Sequence, residues 1–193
     1  MEEKKLKRRY LIQNILLLSL IVIIACSFLI NIFQFEIKND QLYAEAGTNI
    51  EYIINENNIR DYLYISNLTL NNISIDAMDV NTSRSGEYTL RITNHANNKT
   101  LKLKLTITDS KDPIVEWYDY IPEVPVGIGV SAEIFVKEAR DDAGIDKIYF
   151  LTPDKGRELT YTPKEAGLHE VTVVVQDINN RQVSKEVSIL AVD

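Results

Sequence analysis

The sequence predicts an all-β protein, two sandwich-like units in tandem behind one N-terminal transmembrane helix. Three observations predict it. An uncharged apolar run extends from Leu11 to Phe33. Beyond that run, apolar residues alternate with polar ones at period two, the pattern of strands with one buried face. The alternating stretches are separated by Asn-, Asp- and Gly-rich turns, and the second half repeats the first.

The apolar run comes first. It reads LIQNILLLSLIVIIACSFLINIF, and its polar residues (Gln13, Asn14, Ser19, Ser27, Asn31) carry no charge. A helix rises 1.5 Å per residue, so about 20 apolar residues cross a hydrocarbon core about 30 Å thick. The preceding KKLKRR is retained on the cytoplasmic side. Residues 1–10 are therefore read as a cytoplasmic basic tail, 11–33 as a signal anchor and 34–39 as a juxtamembrane linker. The remainder is expected to be extracellular, held at the cell membrane by a single pass. Two alternatives compete. A charged start plus an apolar core is also the pattern of a cleaved signal peptide. Ile23-Ile24-Ala25-Cys26-Ser27 resembles the bacterial lipobox, which would make Cys26 a lipidation site. Lipoproteins usually follow that cysteine with a polar tether. Here Phe28, Leu29, Ile30, Ile32 and Phe33 prolong the apolar run, which favours a spanning helix.

Charge narrows the function classes. The chain carries −7, its first ten residues +3 and the rest −10. An acidic exterior lacks the concentrated positive patch that a phosphate backbone requires, so no nucleic-acid partner is expected. Cys26 is the single cysteine. The exposed part can form neither a disulfide framework nor a thiolate metal site, and must hold together by burial and strand pairing.

The strand pattern then runs in order. Ile50, Tyr52 and Ile54 alternate with Asn49, Glu51 and Ile53; Tyr88, Leu90 and Ile92 follow, then Leu101, Leu103, Leu105 and Ile107. Val130, Ala132, Ile134 and Val136 continue the pattern, then Val171, Val173 and Val175, then Val187, Ile189 and Ala191. Turns are expected at Gly47, Asn57-Asn58, Asn71-Asn72, Ser85-Gly86, Asn97-Asn98, Gly127, Asp141 to Gly144, Pro153 to Gly156, Gly167 and Asn179-Asn180. No amphipathic helix is expected outside the membrane. Each half ends with a Gly, a strand, an Asn-Asn hairpin, a second strand and a closing Asp. The units are placed at 40–109 and 114–193, joined by a linker at 110–113. Pro113 favours an extended start to the second unit.

This arrangement resembles the bacterial Ig-like domains that occur in tandem on Gram-positive surface proteins. The resemblance is carried by Gly47, Gly86, Tyr88, Asp109, Pro113, Gly127, Asp141, Gly144, Gly167, His169, Asp177, Asn179, Asn180 and Asp193. It implies two tandem Ig-like β-sandwiches with a binding or spacing role and identifies no ligand. The first unit departs from the pattern by placing His95 where the second has Asp177.

Site chemistry is sparse. Two histidines, His95 and His169, fall in different units, and no nucleophile–base, zinc or phosphate-loop pattern occurs. No enzyme is expected. His169 occupies the Tyr88 position of the repeat, which marks it as a packed strand residue. Four N-x-S/T triplets begin at Asn67, Asn72, Asn81 and Asn98, where an Asn-rich composition produces about two by chance, so the motif says little. Calcium is the one cofactor to consider. In an Ig-like second unit, Asp109 and Asp112, Asp141 and Asp142, and Asp177 with Asn179 would gather at the end facing the first unit. They would offer the hard oxygens that this ion takes. Asp and Asn are also ordinary turn residues. Trp117, Tyr118 and Tyr120 form an aromatic cluster suited to a protein or cell-wall carbohydrate partner, or to the core. The expected function is a membrane-anchored, non-catalytic binding or spacer protein. The alternative is an accessory subunit of a cell-envelope complex that also uses its helix for contacts.

Overall fold

The computed structural model describes residues 2–32, 34–152 and 155–193. Helix α1, Glu2–Ile32, contains residues 11–32 of the apolar run, with Lys7–Leu29 long and apolar enough to cross a membrane and unburied throughout. Leu11, Leu16, Ile23 and Phe28 are all more than half exposed, so protein contacts do not account for this apolar surface. Met1 of the expected tail, Phe33 of the expected span, and Pro153 and Asp154 of the expected 153–156 turn lie outside the described residues.

The rest is mostly strand. In chain order come β1 (Phe35–Ile37), β2 (Gln41–Glu45), β3 (Leu63–Ile65), β4 (Ile73–Asp76), β5 (Gly86–Asn94) and β6 (Lys99–Thr108), with short helices α2 (Ile50–Ile53), α3 (Ile59–Tyr62) and α4 (Asn67–Leu70). Then follow β7 (Ile114–Trp117), β8 (Glu123–Pro125), β9 (Val130–Ser131), a 3₁₀ turn (Ala132–Phe135), β10 (Val136–Arg140), β11 (Ile145–Thr152), β12 (Gly156–Glu158), β13 (Thr160–Tyr161), β14 (Gly167–Asp177) and β15 (Gln182–Val192). The earlier strands form a four-stranded sheet in the order β2-β6-β5-β4 and a two-stranded ladder, β1-β3. The later ones form a five-stranded sheet, β12-β11-β14-β15-β8, with ladders β10-β7 and β13-β9. Strand β8 runs parallel to the last strand, β15, while β14 pairs antiparallel with both β11 and β15. A last strand flanked by its antiparallel hairpin partner and by an early edge strand is the layout of one Ig-like sheet. The sheets are open, as the fold class requires.

Two compact units emerge from the packing. The first comprises residues 1–41, 54–78 and 89–104, the second 42–53, 79–88 and 105–193. Phe35, Ile59, Leu63, Leu90, Ile92 and Leu103 are buried in the first. The second is built on Val130, Ala132, Phe135, Phe150, Val171, Val173 and Ile189, with Trp117 partly buried against them. Full burial of such side chains contributes about 1.5–3 kcal/mol each, the main force available without disulfides.

Period two holds where a strand has one clean buried face. Leu103, Leu105 and Ile107 of β6 are at most 2% exposed, while Lys102 and Lys104 point to solvent. It fails in two places. Residues 50–53 form helix α2, because Asn49 caps it through its side chain to the Glu51 amide. Ile53 and Ile54 are then both buried and Tyr52 is 81% exposed, which no strand alternation allows. The expected strand through Val130 to Val136 is interrupted by the 3₁₀ turn, whose N-cap Ser131 accepts from the Glu133 amide. Phe135 is thereby buried instead of Ile134. The three short helices and this turn also correct the expectation of no helix beyond the membrane run.

The repeat is visible in detail. The Tyr88 hydroxyl donates to the Arg84 carbonyl at 2.9 Å, four residues upstream. His169 repeats this, its Nε2 meeting the Glu165 carbonyl at 2.8 Å and leaving Nδ1 to accept from the Tyr161 hydroxyl at 3.0 Å. Both act like the tyrosine corner of Ig-like sandwiches. Among the described residues, Asn98 and Asn180 are the positive-φ non-glycine residues (57° and 70°), one in each hairpin.

Candidate metal centre

Three strand ends of the second unit deliver carboxylates to one place. Asp109 follows β6, Asp141 opens the loop between β10 and β11, and Asp177 closes β14. One carboxylate oxygen from each lies within 4.8 Å of the others. Each aspartate is fixed by its own turn. Asp109 Oδ1 accepts from the Lys111 amide at 3.2 Å, and Asp141 Oδ1 from the Ala143 amide at 2.7 Å. Asp177 Oδ1 accepts from the amides of Asn179 (2.7 Å) and Arg181 (2.9 Å), closing the hairpin on itself. These are the local side-chain to backbone bonds that make Asp a turn residue.

Asp177 differs from its neighbours. Its side chain is fully buried, and Oδ2 is the buried side-chain polar atom without a partner among the described residues. Adjacent Gln176, equally buried, is satisfied: its Oε1 takes bonds from Tyr149, Arg157 and Gln182, and its Nε2 donates to Asn180. Burial raises the Asp177 carboxyl above its ordinary pKa; the Arg181 and Asn179 amides oppose the rise, and the Asp109 and Asp141 charges add to it.

The other sequence candidates are placed differently. Asn179 is joined to the cluster, its Nδ2 donating to Asp109 Oδ2 at 2.6 Å and to the Ser83 carbonyl at 3.0 Å. Its Oδ1 accepts from the Ser85 amide at 2.8 Å. Asp112 is held by Arg181, with Nη2 at 2.7 Å, and Asp142 by Lys111 at 2.6 Å, both pairs exposed. The Lys111 bond holds the Asp142 carboxyl below its ordinary range. The 83–85 segment was not legible as part of this region, since 94 to 96 residues separate its partners. Gly47 has φ +82°, and a Cβ there would fall 2.1 Å from the Asp142 carbonyl oxygen, so only glycine fits against this loop.

Of the aromatic candidates, Trp117 packs against the core cluster, whereas Tyr118 and Tyr120 are 45% and 49% exposed. Tyr120 donates to the Ile134 carbonyl and meets Tyr118 edge-on at 5.8 Å. These tyrosines line a shallow groove with Ile121, Lys185 and Val187. Cys26 is a free, exposed cysteine on α1.

No family model and no curated relative matches the chain. Solved structures do resemble it. The fibronectin(III)-like modules of Clostridium thermocellum CbhA match with TM-score 0.32 and 13% identity, over 81% of this chain and 92% of that one. Protocadherin gamma B7 extracellular cadherin domains 1–4 match with TM-score 0.35 and 12% identity, over 79% of this chain and 49% of that one. Human mucin-like protocadherin EC1-2 matches with TM-score 0.31 and 10% identity, over 82% and 98%. Likenesses this distant assign no function.

Proposed function

We propose that the protein is anchored in a bacterial cell membrane by α1 and displays its Ig-like modules outside the cell as a non-catalytic binding or spacing device. The modules are read as residues 40–109 and 114–193, with the tail inside. The observation that carries this reading is the 23-residue apolar span of Lys7–Leu29, unburied and preceded by basic residues. Exposed apolar surface of that length needs lipid around it. Tyr118 and Tyr120 supply a surface for a protein or cell-wall carbohydrate partner, and calcium is the cofactor this reading admits.

Protease treatment of intact cells tests the placement. A C-terminal epitope is expected to be lost and an N-terminal one retained, both belonging to the uncleaved chain. An N-terminal tag absent from the mature protein points to a cleaved signal, and a mature chain starting at lipidated Cys26 to the lipoprotein form. A C-terminal epitope protected in intact cells overturns the reading.

A second role, as an accessory subunit of an envelope complex, is favoured by the position of Gln13 and Ser27. Fourteen residues apart, they fall within about 40° of one another around a helix. Uncharged polar groups inside a membrane hydrogen-bond to neighbouring helices. Replacing residues 11–33 with an unrelated spanning helix leaves a spacer functional and disables such a subunit.

A further inference from the structure

We propose that Asp109, Asp141 and Asp177 form a calcium site that ties three loops of the second unit together. Three turn aspartates near one another are by themselves unremarkable. The oxygen that has no partner is what points to a ligand. Asp177 is wholly removed from solvent, and its Oδ2 accepts no bond, although both polar atoms of adjacent Gln176 are engaged, Oε1 as acceptor and Nε2 as donor. A buried acceptor left empty costs about 1–3 kcal/mol, more when charged, and folded proteins rarely carry one without a reason. Oxygens of two further carboxylates, Asp109 and Asp141, lie within 4.8 Å of an Asp177 oxygen. No lysine or arginine forms an ion pair with any of the three among the described residues: Lys111 is engaged by Asp142 and Arg181 by Asp112. Arg181 reaches the Asp109 backbone carbonyl, and a neutral amide, Asn179 Nδ2, covers Asp109 Oδ2. Three carboxylates thus gather with no cation paired directly to any of them, although Lys111 and Arg181 stand nearby.

The ion is chosen by size and by ligand type. Carboxylates with water and carbonyl oxygens suit hard cations, and the absence of histidine or cysteine from the cluster disfavours zinc and copper. Calcium bonds to oxygen at about 2.3–2.6 Å, so ligands on opposite sides of it stand about 4.6–5.2 Å apart. Oxygens all within 4.8 Å of one another are close enough to share such an ion. Magnesium, at about 2.0–2.1 Å, spans about 4.2 Å and demands stricter geometry. Water completes the calcium shell. The inference uses the extracellular reading only to supply the ion; the site stands or fails on the purified chain.

The test uses the full-length protein in detergent, freed of metal with EDTA. Its thermal midpoint is followed as calcium is added up to about 5 mM, and equilibrium dialysis with radioactive calcium counts bound ions. One ion per chain and a midpoint rise of several degrees are expected, with a smaller rise from magnesium at equal concentration. Asp177→Asn is expected to abolish both the binding and the rise while melting in EDTA no lower than wild type, because the amide removes the buried charge. If that variant does not fold, Asp109→Asn takes its place. Asp142→Asn is expected to keep the response. No binding by the wild type, an undiminished response in Asp177→Asn, or an equal effect of magnesium overturns the assignment. None of these outcomes moves the protein across the membrane, so the two readings fail separately.

Discussion

The chain contains two hairpins with related turns, β5–β6 and β14–β15, and the buried polar residue that opens each turn differs between them. Each starts its turn with a buried polar side chain and ends it with an asparagine in the left-handed region. In the first hairpin the buried residue is Asn94, whose Oδ1 accepts from the Ala96 amide at 3.0 Å. In the second it is Asp177, whose Oδ1 does the same for Asn179 and Arg181. The structure therefore matches Asp177 with Asn94, and His95 instead bonds Ser74 through Nε2 at 2.9 Å. A neutral amide can close such a turn as well as a carboxylate can. The charge at Asp177 is thus surplus to folding, and it sits where two further carboxylates converge. Closing the turn does not explain that charge, whereas a bound cation does.

The comparison can be broken most severely by exchanging the chemistries. Asn94→Asp puts a charge into the first hairpin with no accompanying carboxylates and no ion; it is expected to cost about 3 kcal/mol in chemical denaturation of the full chain and to confer no calcium response. Asp177→Ala removes the acceptor for two turn amides and is expected to cost about 1–3 kcal/mol in EDTA, with the calcium response lost as well.

Subtler is the pH dependence. Without metal, burial holds the Asp177 carboxyl above its unfolded pKa. Between those two values the folded state binds more protons, so stability falls as pH rises through the window and the penalty is complete once both states are ionised. Below the unfolded value the penalty is gone. Asp177→Asn is therefore expected to gain on wild type as pH rises from about 4, in EDTA, and calcium is expected to erase that gain. Glu45 and Asp142, whose carboxyls are held low by Ser110 and Lys111, contribute the opposite slope in both proteins and cancel in the difference. The smallest effect belongs to the corners. Tyr88→Phe loses one hydrogen bond to Arg84 and is expected to cost about 0.5–1.5 kcal/mol, read as a shift in the denaturation midpoint with no change in calcium response.

Several features needed no coordinates. The 11–33 run, the clean alternation of β6, the Asn-Asn turns and the equivalence of Tyr88 with His169 follow from periodicity and turn chemistry, which act between near neighbours in the chain. Residues 50–53 and 132–135 show strand-like alternation yet do not form strands. A capping side chain, Asn49 or Ser131, outbid it, and burial at Ile53–Ile54 and Phe135 rewarded the tighter backbone. Six oxygen-bearing residues were equally eligible for a metal on sequence grounds. The fold sorted them by pairing Asp112 with Arg181 and Asp142 with Lys111 and leaving Asp109, Asp141 and Asp177 together.

By itself, then, the sequence determined a membrane-length helix, a β-rich exterior and two hairpins of one design. Those are consequences of local hydrophobic pattern and backbone preference. Only the tertiary structure decided which carboxylate, Asp177, lost its solvent and which were left without a directly paired cation, because desolvation depends on chain segments that meet from far apart. Ser83 and Ser85 holding Asn179, and Gly47 clearing room for Asp142, are contacts of that kind.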